Sequence, residues 1–71
     1  MVHDVAVLVR LERGTSVESM LPAFEATGLR VGRVMLRLGV VTGAVPAGQV
    51  EALRELVGVR HVEQDREVRT A

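Results

Sequence analysis

The sequence predicts an α+β fold, a four-stranded antiparallel sheet with two helices on one face. Two observations lead there. Four stretches read as strands and two carry apolar residues at helical spacing. They occur in the order strand, helix, strand, strand, helix, strand.

The first strand is Val5–Glu12, with Val5, Val7, Val9 and Leu11 on one face and Ala6, Leu8, Arg10 and Glu12 on the other. Arg13-Gly14-Thr15-Ser16 breaks the alternation. Thr15, followed three residues later by Glu18, fits a capping box ahead of Val17, Met20, Leu21 and Phe24, which share a helical face. Gly28 stops this helix. Pro22 lacks the N–H that would bond residue 18, so the helix is expected to kink or to start later than the cap suggests.

Arg30–Val45 supplies two strands. Gly32 is expected at a bulge, Gly39 in a hairpin turn at Leu38-Gly39-Val40, and Gly43 where two backbones approach closely. The second helix is Ala47–Val57, with Val50, Leu53, Leu56 and Val57 on its apolar face and Glu51, Arg54 and Glu55 toward water. Gly58 is expected as its left-handed cap. Val59–Asp65 is the last strand, in which Val62 points opposite to His61, Glu63 and Asp65. Residues 66–71 show no turn signal, so the chain divides into one domain over 1–65 and an extended tail. The element order is the ferredoxin-like βαββαβ arrangement, two split βαβ units.

Composition narrows the chemistry. The chain has 71 residues, no Cys and two His, so disulfides and thiolate metal sites are excluded and no metal or cofactor is expected. Its nine basic side chains are all arginine and balance nine acidic ones, and Phe24 is the only aromatic, which argues against nucleic acid as a partner. No apolar run approaches the roughly 20 residues needed to span a bilayer, and Met1-Val2-His3-Asp4 does not open a secretion signal. No membrane partner and a cytoplasmic location are expected. Without Lys or Cys, Schiff-base and thiolate catalysis are closed, and Ser16 and Ser19 read as cap and helix surface. The chain is not expected to be an enzyme.

Binding is the better reading. The sheet face that the helices leave open is expected to combine Glu63 and Asp65 with Arg33, Met35 and Arg37. Six extended residues beyond it reach roughly 20 Å, enough to cross the substrate cleft of another protein.

The segment from Ala44 onward carries a resemblance. A short leucine-spaced helix, a turn, the strand residues Val62-Glu63-Gln64-Asp65 and a tail of six residues resemble the end of subtilisin propeptides and of the free-standing inhibitors of that family. The first half agrees in strand and helix order. The resemblance implies a ferredoxin-like domain whose sheet packs on two surface helices of a subtilisin-type serine protease. Glu63 and Asp65 would cap those helices, and the tail would lie substrate-like in the cleft. Ala71 would enter the primary specificity pocket, preceded by Thr70 and Arg69, with Val68 in an apolar pocket. Ala71 is smaller than the terminal residue of some members. The resemblance also implies a role in protease folding and a chain that is monomeric when free. The alternative is a small regulatory or assembly module of the same fold that forms a homodimer or binds a small ligand.

Overall fold

In a computed structural model, which describes residues 3–65, four strands form a single sheet. β1 (Asp4–Leu11) is followed by α1 (Val17–Ala26), β2 (Arg30–Met35), β3 (Val40–Pro46), α2 (Val50–Arg54) and β4 (Val59–Asp65), and the strand order is β2-β3-β1-β4. β1 is antiparallel to both β3 and β4, and β2 is antiparallel to β3. It follows that β1 and β2 run the same way with β3 between them, while β3 and β4 run the same way with β1 between them. Each βαβ unit is thus split by a strand of the other, the ferredoxin-like arrangement the sequence predicts.

Period-two alternation decides which face is covered. Val7, Val9 and Leu11 of β1 are buried with Val41 and Val45 of β3 and with Val59 and Val62 of β4. The same cluster takes Val17, Met20 and Phe24 from α1 and Val50 and Leu53 from α2, so both helices lie on one face. Val59 and Val62 differ in parity, yet both point inward. The reason is a bulge: Leu11 pairs with Val59 and Arg10 with His61, which leaves Arg60 as the extra residue.

α1 starts one residue later than the capping box suggests. Ser16 is the N-cap, its hydroxyl oxygen accepting from the Ser19 N–H at 3.4 Å, and Thr15 lies outside. The helix continues through Pro22, an exposed position where water can serve the Glu18 carbonyl left without a donor. Its end is a Schellman motif. The Leu29 N–H donates to the Phe24 carbonyl and the Gly28 N–H to that of Glu25, both at 3.0 Å, with Gly28 at φ 89°.

The second helix is shorter than its apolar spacing implies. Ala47–Gln49 is a 3-10 turn, α-helical geometry spans only Val50–Arg54, and Glu55 is the C-cap. Gly58 has a positive φ but belongs to the turn into β4, not to the cap. Val57 is accordingly 93% exposed instead of lying on the apolar face.

The three glycines between Arg30 and Val45 behave as expected. Val31 pairs with Gly43 and Arg33 with Thr42, which leaves Gly32 as a bulge residue. Gly39 is left-handed and closes a connection that runs through a 3-10 turn at Leu36–Leu38, longer than the tight hairpin expected. At Gly43 a Cβ would lie 2.2 Å from the Arg30 carbonyl oxygen, a backbone atom that cannot swing aside. Gly43→Ala is therefore expected to force β2 off β3 and to destabilise the domain by about 1–3 kcal/mol, read as a lowered urea midpoint. Gly48→Ala, whose added methyl meets nothing within 4 Å, is the control and is expected to stay within about 0.5 kcal/mol.

Candidate functional site

Among the described residues the face away from the helices is open except at Val40, which is buried, and the strand register gives its composition row by row. One row runs Arg33, Thr42, Leu8, Glu63 from β2 across to β4. The row beside it runs Arg30, Ala44, Ala6, Asp65, and the row on the other side Met35, Val40, Arg10, His61. The β2 edge is therefore basic, the centre is small or apolar, and the β4 edge holds Glu63. No sequence-local signal shows this gradient, because each row joins residues far apart in the chain.

Glu63 is the expected site residue that the structure places most clearly. It lies on the open face of an edge strand with its side chain 63% exposed, and its one ion-pair-distance partner among the described residues is the His61 imidazole, with Nε2 at 4.0 Å from the Glu63 Oε2. At that distance and exposure the pair constrains the carboxylate little. Asp65 closes β4, paired with Ala6 and two residues beyond Glu63. Val68, Arg69, Thr70 and Ala71 lie outside the described residues. Arg33 and Met35 share the open face as expected. Arg37 does not: it sits in the 3-10 turn at the end of the sheet, because the register ends at Met35.

Two further ion pairs are superficial. The Arg30 guanidinium donates to the Asp4 carboxylate at 2.9 Å, and Arg54 pairs with Glu51 along α2. Both are solvent-exposed, so they orient side chains and add little stability. Among the described residues no group of three or more His, Asp or Glu side chains is arranged to hold a metal ion. Among the described residues no helix is long and apolar enough to cross a membrane.

β4 pairs with β1 alone, so its outer edge presents unpaired backbone N–H and C=O groups among the described residues. What the arrangement offers chemically is recognition: an exposed carboxylate on a partly apolar sheet face, on the strand that precedes residues 66–71. Comparison with protein-family models, curated proteins and solved structures finds no match for this chain.

Proposed function

We propose that this chain inhibits a subtilisin-type serine protease, docking the open sheet face on the enzyme and laying residues 68–71 in its substrate cleft. The observation that carries the reading is the uncovered face with an exposed Glu63 on the strand that continues into the tail. A helix N-terminus on the partner presents unpaired N–H groups and positive partial charge, and an exposed carboxylate on a flat surface meets that need. Ala6, Ala44 and Thr42 lie beside Leu8 in the middle of the face, a small and apolar surface for a helix to pack against. Once the face is docked, the tail would pair with the enzyme's substrate-binding strand through main-chain hydrogen bonds. By occupying the cleft during maturation, the same contact would also assist folding of the protease.

The test is inhibition of subtilisin by the purified chain and by Glu63→Gln, which removes the charge and keeps the shape. The variant is expected to raise the inhibition constant about two- to thirty-fold with no change in thermal midpoint. An unchanged constant would remove Glu63 from the contact.

A second reading, pairing with its own copy, has one observation in its favour. A two-fold axis parallel to the strands would lay the basic β2 edge of one copy over the β4 edge of the other, placing Arg33 against Glu63. Light scattering separates the two readings: a dimer that persists at assay concentrations would hide the face the protease needs.

A further inference from the structure

At the end of the sheet remote from Asp65 there is an open cleft of about 390 Å³ that the functional reading above does not use. It is formed where the end of β1 and the following loop meet the 3-10 turn between β2 and β3 and the start of β4. Arg10, Arg13, Arg37 and Arg60 line it, and Glu12 is the one carboxylate among its lining residues. This is a local excess of three positive charges on a chain whose formal net charge is zero. Arg30 and Arg54 are in ion pairs. Of the other described arginines all but Arg33 line this cleft, and none has a carboxylate within 4.0 Å among the described residues.

The arginines are also held on a tied scaffold. The Leu11 N–H donates to the Gly39 carbonyl and the Glu12 N–H to the Gly58 carbonyl, each at 2.8 Å, which fastens the three segments to one another. Like charges gathered on such a frame repel, and among the described lining residues Glu12 is the one carboxylate that offsets them. Guanidinium groups present a planar fork of donors that fits phosphate oxygens and are weakly hydrated, so a phosphate-type anion is the ligand this set fits best. The rim supplies a second element: Leu36 and Leu38, flanking Arg37 on the turn, are 71% and 65% exposed. The volume lies within the range of small-ligand sites.

We propose that this cleft binds a phosphate group carried on a molecule with an apolar portion. The arginines hold the phosphate and the two leucines meet the apolar part. A soluble phosphate ester and a phospholipid headgroup share this chemistry. The cleft meets the docking face at Arg10 and otherwise lies beyond it, because β4 runs from Arg60 in the cleft to Asp65 at the other end of the sheet.

Two arms test it. In the first, ¹⁵N-labelled chain is titrated with inorganic triphosphate at about 20 mM salt, where surface charges are least screened. Saturable shifts are expected at residues 10–15, 36–39 and 60. In the second, the chain is sedimented with phosphatidylglycerol vesicles and with phosphatidylcholine vesicles. A lipid source gives binding to the anionic vesicles alone, abolished by Leu36→Ser with Leu38→Ser. A soluble source gives triphosphate binding without vesicle binding. In either case Arg37→Gln with Arg60→Gln is expected to weaken binding about tenfold or more, while Arg33→Gln, which lowers the net charge outside the cleft, changes it less than about twofold. The proposal is overturned if neither probe binds, or if Arg33→Gln weakens binding as much as the cleft pair. Subtilisin inhibition measured on the Arg37→Gln with Arg60→Gln and the Leu36→Ser with Leu38→Ser chains is expected to be unchanged, which separates failure of the cleft from failure of the docking face.

Discussion

Replacing Phe24 with alanine is expected to unfold the domain at room temperature. Phe24 is the only aromatic residue of the chain, is 0% exposed, and lies where α1 crosses the buried face of the sheet among Val9, Val41 and Leu53 in the core cluster. Truncating a buried phenylalanine costs about 3–5 kcal/mol, the transfer of the ring plus the cavity left behind. A single core in a chain of this size supplies rarely more than about 3–5 kcal/mol of net stability, and with no Cys no disulfide supplements it. The loss and the reserve are thus of equal size. Far-ultraviolet circular dichroism of Phe24→Ala should show loss of the cooperative thermal transition. Phe24→Leu, which keeps most of the volume, is expected to retain the transition at a lower midpoint. A Phe24→Ala chain with an unshifted midpoint would mean that the core is not organised around this ring.

Deleting Val68 to Ala71 is expected to abolish protease inhibition and leave the fold intact. Every strand and core residue described lies within residues 3–65, so the thermal transition of the shortened chain is expected to match that of the full one. In the docked state the four deleted residues would contribute main-chain hydrogen bonds to the enzyme, each worth about 0.5–1.5 kcal/mol net. Three or four such bonds amount to about 2–6 kcal/mol, a rise of about 30-fold to 10⁴-fold in the inhibition constant. The contrast with Glu63→Gln is diagnostic, since one capping carboxylate is worth far less than a paired strand. Equal inhibition by full and shortened chains would sink tail insertion, whereas a full chain that does not inhibit at all would sink the protease reading itself.

The elements that were legible from the residues share a cause. Val5 to Leu11 alternates because one face of β1 is buried, and Val17, Met20 and Phe24 recur at helical spacing for the same reason on α1. Gly32 and Gly39 mark a bulge and a left-handed turn, and Gly43 a backbone contact that tolerates no side chain, so their positions could be read before any coordinates. That Glu63 lies on the open face was legible because strand alternation sets it opposite the inward Val62.

Other features were not local. The end of α2 depends on the turn that returns the chain to β4, which is why Val57 fits a helical stripe in the sequence and stands in solvent in the fold. The cap of α1 falls on Ser16 because the Glu12 carbonyl accepts from Thr15, closing the preceding turn one residue further along. The cleft arginines lie at positions 10, 13, 37 and 60, too far apart to form a motif, and β-strand order alone gathers them.

The sequence by itself determined the fold class, the buried faces and the glycine positions, because hydrophobic periodicity and steric exclusion act over a few residues. Only the tertiary structure decided where Arg37 points its charge, how basic and acidic edges divide the open face, and which arginines share a cleft. Those depend on strand register and order, which join residues up to 59 positions apart and leave no trace in local spacing.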